Sequence, residues 1–145
     1  MGQEKMITIV IDTNVVISAL LFGGGPGKLI ELWKKKHIRP LLSAEILAEY
    51  LRVLAYPKFS LSEEEINYII HQEILPYFNV VKSVSGPSII KKDPDDDKFI
   101  RCAEAGNTNM IISGDSHLLA LKTYHGISIL TPAQFLEITA ENQID

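Results

Sequence analysis

The chain carries one cysteine, Cys102, in 145 residues, so no disulfide can form within it. That fits a reducing compartment, and a cytoplasmic location is expected. No apolar run approaches the length of a membrane span. The opening residues Met1–Met6 are polar and lack the apolar core of a signal peptide. Positive charge is not in excess: the net charge is −4, which argues against a general nucleic-acid coat protein. It leaves room for a nucleic-acid enzyme, because bound cations reverse the sign of a local acidic site. Histidine is sparse, at His37, His71, His117 and His125, with no zinc-like spacing. There is no internal repeat, low-complexity segment or sign of a second domain. Residues 1–145 read as a single domain, frayed at 1–5 and 141–145.

What is present is a 46% hydrophobic chain that can bury a core. Ile7–Ile11 is a β-branched apolar run of the kind buried on both faces of a parallel sheet. Further strands are expected at Arg39–Leu42, Phe78–Val81, Met110–Ser113 and Ile127–Leu130. Helices are expected at Val15–Phe22, Gly27–His37 and Ala44–Leu54, the last capped by Ser43. Ser62 and Glu65 form a capping-box pattern for a helix to about Leu75. Helices at Lys98–Ala105 (C-capped by Gly106), at Ser116–Leu121 and after Thr131-Pro132 complete the alternation. The expected fold is α/β, a three-layer α/β/α sandwich on a central parallel sheet of about four to five strands.

Four acids stand out: Asp12, Glu49, Asp97 and Asp115. Ligands of open parallel sheets bind outside the carboxyl ends of the strands. Asp12 ends the first strand and Asp115 follows a later one. Asp97 begins the helix that feeds that later strand, and Glu49 joins them if it turns inward from mid-helix. Converging carboxylates repel, and a hard cation such as Mg²⁺ or Mn²⁺ relieves them. Taken singly, each acid has an ordinary explanation. Asp12 and Asp115 can be helix N-caps, Glu49 a surface residue, and Asp93, Asp95, Asp96 and Asp97 a solvated helix start.

These residues together resemble a known pattern. Ile9-Val10-Ile11-Asp12-Thr13-Asn14, Ser43–Glu49, Asp97-Lys98-Phe99-Ile100 and Ile111-Ile112-Ser113-Gly114-Asp115, in that order, look like the PIN-domain family. That family includes metal-dependent ribonucleases and VapC-type toxins, and the Gly-rich stretch and the run Asp93–Asp97 look like its toxin–antitoxin branch. The resemblance implies an endoribonuclease whose metal site is Asp12, Asp97 and Asp115, with Glu49 joining directly or through water. Asp96 competes with Asp97 for the third role; Asp97 is preferred because Ile100 and Ala103 then follow in the family's spacing. Thr13, Asn14 and Ser113 would hydrogen-bond these carboxylates or the scissile phosphate. The implied cofactor is Mg²⁺ or Mn²⁺, and the implied partners are RNA and an antitoxin. The products would be a 5′-phosphate and a 3′-hydroxyl.

Two other readings compete. A phosphatase forming an aspartyl-phosphate at Asp12 would want a second acid two residues on, where Asn14 stands. A non-catalytic module would hold metal or RNA in the same crevice. Gly23–Lys28 imitates a phosphate loop but lacks the first glycine of the Walker spacing, at Phe22, and has Leu29 for the required Ser or Thr. Lys34, Lys35, Lys36 and Arg39 form the strongest basic cluster, with Lys91 and Lys92 a smaller one. They are candidate RNA contacts set against a solvated helix face. Trp33 and Tyr50 fit core packing or a subunit interface better than base stacking. The apolar helices from Gly27 to Leu75 offer a surface for a homodimer or higher homo-oligomer.

Overall fold

The computed structural model describes residues 6–84, 86–90 and 94–143; Lys91, Lys92 and Asp93 lie outside the described residues, as do 1–5 and 144–145. A six-stranded sheet runs through the domain in the order β3-β2-β1-β4-β6-β5. Its strands are β1 (Ile7–Ile11), β2 (Ile38–Leu42), β3 (Asn79–Val80), β4 (Met110–Ile112), β5 (Thr123–Tyr124) and β6 (Ile127–Leu130). All neighbours are parallel except β5, which pairs antiparallel with β6. Helices flank the sheet, as an α/β sandwich requires. The five strands read from the sequence are the five parallel ones. The sixth, β5, has only two residues and folds back through a turn at His125 and Gly126, both at positive φ. A run so short carries no alternation to read.

The helices are α1 (Thr13–Phe22), α2 (Lys28–Lys34), α3 (Ala44–Leu54), α4 (Glu63–Tyr68), α5 (Asp97–Ala105), α6 (Ser116–Leu121) and α7 (Pro132–Gln143). Ser43 caps α3 and the Ser62–Glu65 capping box opens α4, as their sequences dictate. Several boundaries depart from expectation. The helix expected over Gly27–His37 ends at Lys34, before Lys36 turns to positive φ, and β3 keeps two residues of Phe78–Val81. The helix after Ser62 is α-helical only to Tyr68 and continues as a wide π-turn over Ile69–Ile74, which buries Ile70 and Ile74. At the carboxyl end, α7 continues to Gln143, two residues beyond the start of the expected frayed tail.

The core is centred on β1, where Ile9, Val10 and Ile11 are fully buried. Trp33 and Tyr50 are also fully buried, each edge-on to Phe78, at 5.0 and 6.4 Å between ring centroids. Neither is presented for stacking on a base. Buried polar tips need partners. Trp33 donates to the Glu73 carbonyl and Tyr50 to the Ile11 carbonyl. Pro40, in the middle of β2, is tolerated because β3 pairs only with Leu41 and Leu42, leaving β2 a single neighbour there.

Helix α5 begins at Asp97, with Asp96 at its N-cap position. Gly106 caps it, but with φ −92° it does not use glycine's left-handed freedom; Asn107 does, at φ 53°. The amides of Asn107 and Thr108 then close onto Glu104 and Ala103, a complete Schellman end. Gly106 is required for another reason: a Cβ there would overlap Leu41 Cδ1 in the core. Among the described residues no helix is long and apolar enough to cross a membrane.

Candidate metal centre

Asp12 leaves the carboxyl end of β1 and caps α1. Its Oδ1 accepts from Val15 N at 3.0 Å. Its Oδ2 accepts from the Ser113 hydroxyl and, at 3.3 Å, from Gly114 N. Asp115, past the end of the adjacent β4, caps α6 through Oδ1, which takes the amides of His117 and Leu118 at 2.9 and 3.1 Å. The Ser113 hydroxyl ties the two together: it donates to Asp12 and accepts from Asp115 N at 2.9 Å. The capping and site readings of both acids therefore coexist. One oxygen of each closes its helix at the sheet edge where parallel folds bind ligands.

Glu49 does turn inward, its side chain only 13% exposed. Its Oε1 accepts from Thr13 Oγ1, and its Oε2 from Lys98 Nζ at 2.6 Å and Arg52 Nη2 at 3.3 Å. Thr13 follows Asp12 directly, so two clusters, Asp12–Ser113–Asp115 and Glu49–Thr13–Lys98, adjoin through one peptide bond. Among the described residues, however, no three acids, histidines or cysteines stand close enough to hold one ion. The four expected acids do not all meet at a single point. Glu49 is drawn onto Thr13 and Lys98, and Asp97 accepts the amides of Ile89 and Ile90, both at 2.8 Å.

Asp96 and Asp97 face different ways. Asp97 shares its helical stripe with Arg101, four residues on, whose guanidinium reaches the Pro87 carbonyl. That stripe holds the segment before α5. Asp96 shares its stripe with Ile100 and Ala103, both fully buried against the sheet. Asp96 does not cap α5 with its side chain, and its Oδ2 is screened from solvent.

Burial raises the Asp12 pKa. The hydrogen bonds from Ser113, Val15 and Gly114 oppose this, and the charge of Asp115 adds to the rise. A buried carboxylate beside a second one is stabilised by a cation, and an oxygen-only donor set suits a hard divalent ion. Asp12 and Asp115 are the groups that could hold one. Beside them lies a cleft of about 400 Å³ lined by Asn14, Val15, Ser18, Pro26, Gly114, Asp115 and Ser116. Asn14 and the Gly-rich turn thus border the acids.

The basic cluster lies elsewhere. Lys34, Lys35, Lys36 and Arg39 occupy the end of α2 and the start of β2, the amino edge of the sheet, opposite Asp12. There Lys34 pairs with Glu73, and Arg39 bonds Asn79 at 3.2 Å. The sequence reading overlooked Lys98, whose side chain is 8% exposed. A lysine in the first turn of a helix, against the helix dipole and flanked by Asp97 and Phe99, was the available signal.

Comparison with known proteins agrees with this architecture. The family model described as PIN domain matches residues 8–117. The chain therefore belongs to the PIN-domain family, whose members are generally nucleases that use divalent metals. It is 33% identical to "Uncharacterized protein MJ1680" of Methanocaldococcus jannaschii over 93% of this chain and 96% of that one. The fold is similar to that of FitAcB from Neisseria gonorrhoeae (TM-score 0.54, 18% identity, covering 86% of this chain and 98% of that one). It is also similar to PAE2754 from Pyrobaculum aerophilum (TM-score 0.56, 15% identity, covering 93% and 90%).

Proposed function

We propose that this PIN-domain protein is a Mg²⁺- or Mn²⁺-dependent endoribonuclease and the toxin of a toxin–antitoxin pair. The observation that carries the reading is the Ser113 hydroxyl bridging Asp12 and Asp115 at the carboxyl edge of the sheet, beside an open cleft. In this proposal Asp12 and Asp115 hold the ion and Asp96 takes the third acidic role in place of Asp97. The stripe shared with Ile100 and Ala103 supports Asp96, while Asp97 is occupied with the Ile89 and Ile90 amides. Glu49, held by Thr13 and Lys98, shapes the field of the site from its rim.

When bound, a divalent ion supplies an acidified water and electrostatic stabilisation of charge on the phosphoryl and leaving oxygens. The protein's part is positional. Ser113 ties the Asp12 carboxylate to the backbone amide of Asp115, and the caps at Asp12 and Asp115 lock their rotamers. The side chain of Asn14, exposed on the first turn of α1, offers an amide N–H to a substrate phosphate in the cleft. Asp12 is 4% exposed and accepts three hydrogen bonds, a poor posture for a nucleophile that must take up a phosphoryl group. This disfavours the aspartyl-phosphate phosphatase.

The test is cleavage of end-labelled single-stranded RNA with Mn²⁺, Mg²⁺ or EDTA, beside Asp12→Asn and Asp115→Asn. Metal-dependent cutting that leaves 5′-phosphates and is lost in both variants is the expected result. Binding of RNA without cutting would replace the enzyme by a binding module. Cutting that survives both changes would sink the site. The proposed antitoxin and homo-oligomer are tested separately, by co-purification with the product of the adjacent gene and by sedimentation.

A further inference from the structure

Lys98 is placed where helix physics disfavours it. It occupies the first turn of α5, at the positive end of the helix dipole, and its side chain is nine-tenths buried. Burial works against its charge. The hydrogen bond and charge of Glu49, reinforced by Asp95, prevail and leave the ammonium more basic than usual. Its partners come from two elements: Glu49 Oε2 in α3 at 2.6 Å, and Asp95 Oδ1, one turn back, at 3.2 Å. Glu49 in turn takes the hydroxyl of Thr13, the residue after Asp12. A fixed positive charge therefore stands one side chain away from the acids that would hold the ion.

Two-metal phosphodiester sites set their ions about 3.5–4 Å apart, so that carboxylates can serve both. Here Glu49, the acid of the adjoining cluster, is already neutralised by protein cations, the buried Lys98 at 2.6 Å and the exposed Arg52 at 3.3 Å. A second dication drawn to Glu49 would meet the ammonium at close range and be repelled. We propose that Lys98 serves as the second cation of this site, so that the chain takes one divalent ion, at Asp12 and Asp115. Lys98 is then a positioning residue: it holds Glu49 and supplies fixed positive charge beside the cleft. The inference rests on the metal-site reading proposed above.

The experiment is a count of bound ions on folded, metal-stripped protein, by Mn²⁺ titration with electron paramagnetic resonance detection of free Mn²⁺. One ion per wild-type chain is expected. Lys98→Met removes the buried ammonium and leaves on Glu49 only Arg52, which is 59% exposed and screened by solvent; it should raise the count to two, while Lys98→Arg, which keeps the charge, should hold it at one. Two ions on the wild-type chain would overturn the inference and leave the nuclease reading standing, and so would a folded Lys98→Met that still binds one. If Lys98→Met does not fold, Lys98→Gln and the wild-type count decide in the same way. No binding by the folded wild type would overturn the metal-site reading itself, and the inference with it.

Discussion

Replacing Ser113 by alanine removes the one group that touches both principal acids. Its hydroxyl is fully buried, donates to Asp12 Oδ2 and accepts from Asp115 N. Alanine fits the space, so no cavity larger than a hydroxyl is created, and the loss is polar. A hydrogen bond to a charged group contributes about 1.5–3 kcal/mol and a neutral one about 0.5–1.5 kcal/mol. Asp115 N is only partly buried, and water would restore some of the second. The expected cost is about 2–4 kcal/mol, or roughly 5–15 °C in Tm for a chain of this size. The assay is urea unfolding followed by the fluorescence of Trp33, the only tryptophan, which is buried against Phe78. A double-mutant cycle with Asp12→Asn isolates the pair, and about 1 kcal/mol or more of coupling is expected, since groups in direct contact do not add. Ser113→Thr, which keeps the hydroxyl, should recover part of the loss. A cost below about 0.5 kcal/mol, or additivity within about 0.5 kcal/mol, would refute the view that Ser113 sets the geometry of the two acids.

Other outcomes follow from the same geometry. Asp97→Asn should lower stability by about 1–3 kcal/mol through weakened bonds to two backbone amides. It should speed hydrogen exchange at Ile89 and Ile90 while retaining cleavage, whereas Asp96→Asn should lose cleavage and keep those amides protected. Equal loss of cleavage in both would reverse the choice between the two acids. Substituting Lys35 and Lys36 by glutamine should leave RNA cleavage within about twofold of wild type, because they sit at the opposite edge of the sheet; a larger loss would place substrate there. Burial pushes the Cys102 thiol up to about 12 from 9.0, so the folded state holds the proton more tightly than the unfolded chain. Its contribution to stability is thus full below pH 9 and lost as pH rises toward 12. At pH 8 the native protein should resist iodoacetamide, which should label Cys102 once urea unfolds the chain.

The parallel sheet was legible because its signals are local. β-branched runs at Ile7–Ile11 and Ile127–Leu130 declare buried strands, and Ser43, Ser62 and Thr131 announce helix starts. Asp12 and Asp115 were legible because a residue that ends a parallel strand has its position fixed by topology. The partition of Asp96 and Asp97 was not. Two consecutive helical residues differ by about 100° in direction, and choosing between them requires knowing what each stripe packs on. The same holds for Lys98, whose partner Glu49 is 49 residues away. The sequence shows a lysine among aspartates and gives no sign that it leans toward α3 rather than solvent. The place of the basic run Lys34–Arg39 was not legible either, because charge density in a sequence says nothing about which end of the sheet it decorates.

Gly106 closes the end of α5 away from the acids. A nine-residue helix is about 13–14 Å long, so the contact of Gly106 with Leu41 lies remote from any substrate. Yet the missing Cβ leaves room for Leu41 of β2 beneath the helix end, and a rod displaced at one end swings at the other. A side chain at 106 must displace the Leu41 methyl, and where that buried side chain cannot turn aside the helix moves with it, taking Asp96 and Lys98 away from Asp12 on β1. A search for inactive variants should therefore return position 106 beside the acids, with protein that is folded and merely mis-aimed.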